Sequence, residues 1–318
     1  MGVKLLRTFL TRNCSPTSIK LAPVAGLAGR TLVVDASIYL YKYKSAGDVV
    51  GGMERFVRTL RAHRITPIFV FDPPPSPEKM AMVRARAESR AVIVTELDTV
   101  REALAAARLV PDNEDEILRL TARLDELRPS VARVSAGDRR DVRALFDKMR
   151  VYYVTPAREA DMYCAYLVLK GHAWGVISND SDMFVYGCAY VVMDLDVDTQ
   201  TCIIHDTRAM MADLRMTHAT FKDVAVVSGT DYSMDADTTL PESLHHFYKY
   251  KNEFVAGRTR AHFYDWLAAN TDYIKDPAVL KRVHAMFDPV GNADAALFAS
   301  LAERLPPKRG GSTAPAKT

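Results

Sequence analysis

Two short apolar runs, each closing on a carboxylate, constrain the fold of this chain more than any other feature. In TLVVDAS the run Leu32–Val34 ends on Asp35, and in IFVFD, opened by Pro67, the run ends on Asp72. Continuous apolar runs of this length read as buried strands. A helical pattern (Ile38, Leu40, Tyr41) follows the first, and residues 53–63 place Met53, Phe56, Val57 and Leu60 on one helical stripe before the second. Strand, helix, strand points to an α/β sheet, and in open α/β sheets ligands bind at the carboxyl ends of the strands. Asp35 alone could equally cap the next helix. Two strand–acid endings separated by one helix are harder to dismiss. The prolines after Asp72, including Pro77, stop the sheet there.

A second acidic stretch runs from Thr155 to Asp182. VYYV (151–154) reads as a strand, Thr155 as an N-cap and Pro156 as the first helical residue. Glu159 and Asp161 then fall in the first turns, where the helix dipole favours acids. Capping, however, asks for one carboxylate, not two beside a strand end. Tyr163, Tyr166, Leu167 and Leu169 supply the buried side, Gly171 ends the helix, and WGVI makes the next strand. SNDSD follows, with Asp180 and Asp182 two apart. Two acids in one loop repel unless a cation or donor offsets them. An ordinary turn would use the same residue types, but the position at a strand's carboxyl end favours a metal site. Asp231 sits in the turn after Gly229 in VVSGTDY.

The candidate ligand set is therefore Asp35, Asp72, Glu159, Asp161, Asp180, Asp182 and Asp231. Carboxylates suit Mg²⁺ or Mn²⁺, and the absence of His and Cys at these positions argues against zinc. A pair of such ions can activate water, orient a phosphodiester and stabilise the leaving oxygen. No covalent nucleophile with a base accompanies the acids. Phosphodiester hydrolysis is the natural chemistry, with a phosphatase and a non-catalytic DNA-binding module as rivals.

The remainder frames that site. A chain of 318 residues, 48% hydrophobic and 25% charged, is an ordinary globule that can form one large domain with an insertion. A net charge of +3 does not by itself mark a polyanion binder. Cys14, Cys164, Cys188 and Cys202 lack close-paired metal spacing and read as free thiols of a reducing, intracellular compartment. No apolar run is long enough to span a membrane, and MGVKLLRTFLTRNC lacks the apolar core of a signal peptide. Residues 1–30 form a basic, weakly amphipathic opening. Residues 78–150 read as a helical insertion without strands, with helical patterns at 99–109, 114–128 and 138–149. Acids and arginines balance at 114–128. Lys79, Arg84, Arg86 and Arg90 have only Glu88 against them. Segments 190–193 and 202–205 read as hairpin or edge strands. Asp194, Asp196 and Asp198 in the turn between them lack the glycine and terminal glutamate of a calcium loop. Residues 206–227 and most of 236–305 are helical. Lys249, Lys251, Arg258 and Arg260 there form either a phosphate-contacting surface or a solvated face. The tail, 306–318, reads as disordered.

The blocks MGVKLL, LVVDAS, IFVFD, PAREADMYCA, ISNDSDMFVYG and VVSGTDY resemble, in order, the signature blocks of the flap endonuclease family, structure-specific 5′ nucleases related to the XPG-type repair nucleases. The resemblance covers roughly residues 1–235. It implies a PIN-like α/β fold: a central, mostly parallel sheet with a helical arch inserted at about 78–150 and a mostly helical C-terminal region. Residues 1–305 would form one nuclease domain, with DNA-binding helices at about 206–305. By the same resemblance Asp35, Asp72, Glu159 and Asp161 would serve one Mg²⁺ or Mn²⁺ ion and Asp180, Asp182 and Asp231 a second. Lys79 with Arg84, Arg86 or Arg90 would steer the scissile phosphate under the arch, through or under which single-stranded 5′ ends pass. Gly2 would lie close to the site once the initiator Met is removed. The implied partner is DNA with a 5′ flap, nick or junction, engaged by a monomer.

Two departures stand out. After GTDY the family usually continues with a GIGPK-type turn that holds K⁺ and grips duplex DNA, whereas here SMDADTTLPESLHHFYKYK follows and no glycine occurs before Gly257. No QxxLxxFF-like sliding-clamp peptide is present. Kept acids with a simplified grip look like members encoded by large DNA viruses. That implies action in the nucleus or at a site of viral DNA replication, with RNA as an alternative substrate because related viral host-shutoff nucleases attack RNA.

Overall fold

The computed structural model describes residues 3–73, 80–110, 113–230, 238–274, 276–292 and 305; for 80–87, 89 and 129 it describes the backbone. Seven strands form one sheet in the order β1-β7-β6-β5-β2-β3-β4. These are β1 (Ile19–Pro23), β2 (Thr31–Asp35), β3 (Thr66–Val70), β4 (Tyr152–Val154), β5 (Gly175–Ile177), β6 (Tyr190–Asp196) and β7 (Thr201–Asp206). Strands β6, β5, β2, β3 and β4 pair in parallel, and β7 runs antiparallel between β6 and β1.

The expected buried strands are buried on both faces because alternate residues serve different cores. Val33, Ile68, Val70, Val176 and Val191 face one apolar layer, built with α7 (Ala160–Leu169), α8 (Asp182–Tyr186) and α10 (His218–Val227). Leu32, Val34, Phe69, Phe71 and Ile177 face the other, built with α2 (Ala36–Ser45), α3 (Val49–Ala62) and α6 (Ala136–Met149). The stripe read from the sequence, Met53, Phe56, Val57 and Leu60, is fully buried on α3. Each such side chain contributes about 1.5–3 kcal/mol of hydrophobic stabilisation. Further helices, α11 (Leu240–Val255), α12 (Phe263–Asn270) and α13 (Pro277–Met286), extend the first layer. Among the described residues no helix is long and apolar enough to cross a membrane.

The structure departs from the sequence reading at several points. The opening is not merely amphipathic. It forms α1 (Leu6–Asn13) and the edge strand β1, whose partner β7 lies far along the chain. The basic segment and the pattern at 99–109 are one helix, α4 (Met80–Ala107), of 28 residues. It pairs with α5 (Glu114–Val131) through Leu97, Leu104, Leu120, Leu124 and Leu127, and Arg123 clasps Glu96 across the hairpin. α6 does not share that hairpin. Its Val142 and Phe146 are fully buried in the sheet's core, and Phe146 lies 4.5 Å from the Phe69 ring. The helical reading of 206–227 splits into α9 (Thr207–Asp213) and α10. Leu169, expected inside, is 43% exposed at the end of α7.

α6 starts with a reciprocal cap. Ser135 Oγ accepts the Asp138 N–H (3.0 Å), the Ser135 N–H donates to Asp138 Oδ2 (2.8 Å), and Lys44 of α2 reaches the same carboxylate at 2.9 Å. The Ser135 backbone donor, then Lys44, hold the Asp138 carboxyl down at about 2. Ser135→Ala is expected to cost about 1 kcal/mol, a fall of a few degrees in Tm. An unchanged melt would show that the cap contributes nothing.

Candidate active site

The chain builds β2, β3 and β4 outward in one direction, then crosses by α7 to place β5 on the other side of β2. The strand order therefore reverses between β2 and β5. The carboxyl end of that crevice is where an open α/β sheet takes ligands. Asp35 is the last residue of β2, and Asp180 and Asp182 follow β5 directly.

Local chemistry fixes their orientation. Asp35 Oδ1 caps α2 by accepting the Ser37 N–H at 3.0 Å, so capping and site formation use the same side chain. Ser178 Oγ donates to Asp35 Oδ2 (3.4 Å) and accepts the Asp180 N–H (3.2 Å). Asp180 Oδ1 accepts the Asp182 N–H at 2.9 Å. Ser37 Oγ donates to Asp72, which lies two residues beyond β3 and is exposed. Asn179 Oδ1 accepts the Asp194 N–H (2.9 Å), and Arg7 of α1 pairs with Asp194, tying the SNDSD loop to β6. Asp194 and Asp196 otherwise close β6 and Asp198 lies in the turn after it, where Asp196 accepts the N–H groups of Asp198 and Thr199.

Asp35, Asp180 and Asp182 are buried, at 5%, 5% and 6% exposure. Burial first, then Asp72 and Asp180, push the Asp35 carboxyl up to about 7. Asp161, half-buried in the first turn of α7, is raised well above the usual carboxylate range by burial and then by Asp35, Asp180, Asp72 and Asp182. These mutual effects bring Asp35, Asp72, Asp161, Asp180 and Asp182 into one electrostatic group. Glu159 is the N-cap residue of α7 and uses no side-chain cap bond. Beside the acids, the Cys164 thiol is raised by burial and by Asp35 and Asp161, which keeps it protonated and unfit as a nucleophile.

Among the described residues no three His, Cys, Asp or Glu side chains close tightly enough around one point to hold a metal ion. Like charges gathered at one crevice repel and stand apart. Asp231 lies outside the described residues, as do Gly2 and Lys79. Arg84 and Arg86 fall on α4, described there by backbone, and Arg90 is half-exposed on it. Lys249, Lys251, Arg258 and Arg260 are all exposed, beside the exposed Tyr248 and Phe254, and Arg260 lies 5.5 Å over the Phe254 ring. The sequence reading missed Ser37 and Ser178, the hydroxyls that orient the acids. Ser178 carries the one available signal: a polar residue immediately after an apolar strand at its carboxyl end.

The description "XPG N-terminal domain" matches residues 1–93, and "XPG I-region" matches 150–231, so the two enclose every carboxylate of the group. The chain belongs to the flap endonuclease/XPG family. Among relatives in the family, Flap endonuclease 1 of Babesia bovis is 24% identical over 299 residues, 88% of this chain and 42% of the relative. Flap endonuclease 1 of Encephalitozoon cuniculi is 28% identical over 250 residues, 73% of this chain and 68% of the relative. A probable RAD2-like endonuclease of Invertebrate iridescent virus 6 is 23% identical over 280 residues, 73% of this chain and 67% of the relative. The chain thus spans between 42% and 68% of the length of these three relatives. The fold is that of the catalytic core of Rad2 in complex with DNA substrate (TM-score 0.58, 19% identity, 90% of this chain and 86% of that one). It is shared with flap endonuclease-1 from Methanococcus jannaschii (TM-score 0.53, 17% identity, 85% and 82%). The PIN-like reading of a central, mostly parallel sheet holds.

Proposed function

We propose that this protein is a Mg²⁺- or Mn²⁺-dependent, structure-specific nuclease that hydrolyses phosphodiesters of flapped, nicked or branched DNA. One observation carries the reading. Asp35, Asp72, Asp161, Asp180 and Asp182 form one electrostatic group at the switch point of the sheet, and the main influences on Asp161 besides burial are other carboxylates. A hard, oxygen-preferring cation is the ligand that such a donor set fits. Asp35, Asp72, Glu159 and Asp161 would hold one ion, and Asp180, Asp182 and Asp231 a second. Two bound ions supply activation of water and neutralisation of charge on the phosphodiester.

The chain's own groups prepare the site. Ser37 and Ser178 fix the Asp72 and Asp35 carboxylates, and the Asp182 N–H fixes Asp180. The α4–α5 hairpin, packed on itself through its leucines, carries Arg84, Arg86 and Arg90, which together with Lys79 would steer the phosphate. The exposed cations and rings of α11 and the turn after it would contact duplex backbone. A nuclease of this kind would work where branched DNA arises, in a nucleus or at a site of viral DNA replication.

The test offers 5′-flap, nicked duplex, Holliday junction and plain RNA substrates to the purified chain, with Mg²⁺ or Mn²⁺ and with EDTA. Products from the flapped or nicked DNA that vanish in EDTA are expected. Cleavage of RNA alone would move the substrate to RNA. EDTA-resistant products, or binding without products under either ion, would overturn the reading.

A further inference from the structure

The pole of the sheet opposite the carboxylates is built differently from what its turns ask for. α3, α6 and α7 each lead back to the amino end of a parallel strand, and each ends in a Schellman turn. After α7 the left-handed residue is Gly171, with φ 72° and its N–H on Val168 O at 3.0 Å, while the His172 N–H reaches Leu167 O at 2.9 Å. After α3 the same position is Arg64: φ 57°, Arg64 N–H to Arg61 O at 2.8 Å, Ile65 N–H to Leu60 O at 2.9 Å. After α6 it is Arg150: φ 53°, Arg150 N–H to Asp147 O at 3.1 Å, Val151 N–H to Phe146 O at 2.9 Å. Glycine is favoured there because a Cβ crowds the following carbonyl. Two of three equivalent turns carry arginine instead. Arg215 repeats the substitution at the end of α9, in a turn that does not return to the parallel strands.

Arg64 and Arg150 are neighbours, because β3 and β4 pair in parallel register. Arg61 spans the gap between their turns and donates to Met149 O and Arg150 O, both at 2.8 Å. On the next strand over, Arg30 precedes β2. Its carbonyl accepts the Thr66 N–H at 2.9 Å, and its guanidinium lies 5.0 Å over the Trp174 ring, itself stacked at 3.9 Å on Tyr190. Arg61, Arg64 and Arg150 are exposed and Arg30 half-buried. The arginines thus occupy the starts of three adjacent strands, a span of about 10 Å. Asp147, close by on α6, is engaged by the Tyr153 hydroxyl at 2.9 Å.

We propose that this arginine pole is a second nucleic-acid contact, which holds the phosphate backbone of a substrate arm running past the sheet rather than into the carboxylate site. The inference rests on the nuclease reading above. Arginines set side by side at adjacent strand starts suit a repeating anion, and the guanidinium fork matches phosphate geometry. Strands of about five residues set the two poles roughly 17 Å apart, about half a turn of duplex. One branched molecule can therefore touch both.

Arg64→Gly and Arg150→Gly, singly and together, remove charge while supplying the residue that the turn geometry prefers, so Tm should be unchanged or higher. Affinity for a long-armed four-way junction, measured across a salt series, should fall about 10-fold in the double variant. The slope of log K against log salt should shrink by about 2. Cleavage of a minimal flap substrate should stay at the wild-type rate. Unaltered affinity and slope in the double variant would overturn the proposal. So would loss of binding to a polyglutamate peptide with junction binding intact, which would make the pole a protein contact. A failed nuclease reading is visible separately, as absence of wild-type cleavage, because the binding arms need no turnover.

Discussion

Asp180→Asn is expected to lower kcat/KM on a 5′-flap substrate by at least about 100-fold, the top of the roughly 10–100-fold that loss of even an outer partner of a metal ligand costs, without harming the fold. The amide oxygen of Asn can still accept the Asp182 N–H that Asp180 Oδ1 now accepts at 2.9 Å, so the loop keeps its internal bond. What disappears is a buried negative charge that acts on both Asp35 and Asp161. Removing one like charge from a desolvated group relieves repulsion, so the variant should melt at or above the wild-type temperature in EDTA. Asp182→Asn should behave alike. Single-turnover cleavage with saturating Mg²⁺, read beside a melt in EDTA, separates a lost ligand from a lost fold. Wild-type turnover by either variant would remove these carboxylates from the chemistry.

The second large effect is a coupling of stability to pH and divalent cation. Asp35 has its folded value raised to about 7, above an ordinary value of 3.8. The folded state therefore holds a proton that the unfolded chain has released between those values. Stability is full below the ordinary value and declines as pH rises through about 7. A shift of this size corresponds to a few kcal/mol, on the order of 10 °C in Tm for a chain of this length. His205 and His218, both lowered by burial, act in the opposite sense, losing stability as pH falls below their unfolded value. The measurement is therefore the difference between wild type and Asp35→Asn. In EDTA the wild type should lose more stability than the variant between pH 5.5 and pH 8. Mg²⁺ at pH 8 should raise the wild type by more than the variant, which keeps the proposed ligands of the second ion. Parallel curves for the two proteins would sink the assignment.

The parts of this molecule legible in the sequence are those in which one local signal serves two ends. Leu32–Val34 closing on Asp35 shows both a buried strand and the acid at its carboxyl end, and the α3 stripe shows its burial through its period. The edge strand β1 gave no such signal. IKLAP leaves Leu21 74% exposed, carries a proline, and is a strand only because β7, some 180 residues later, pairs with it. The place of α6 was hidden for a related reason. Only Val142 and Phe146 of that helix are fully buried, and the preceding hairpin has the same helical period. Ser37 and Ser178 could not be weighed from composition, since a serine after a strand most often closes a turn. Their roles appear once β2, β3 and β5 stand side by side.

The placement of β5 against β2 also governs when the carboxylate site forms during the protein's own synthesis. Ser178 and Asp35, bonded across the crevice, are 143 residues apart in the chain. Closing so long a loop carries a large entropic cost that local helices do not face. The α4–α5 hairpin, held by near neighbours, can form early and alone, whereas contacts between distant segments form slowly. Asp35 and Asp72 emerge long before Asp161, Asp180 and Asp182, and neither set alone is a site. The proposed cutting competence is thus a late product of folding, and a nascent or truncated chain that stops before β5 carries the α4–α5 hairpin without a complete carboxylate site.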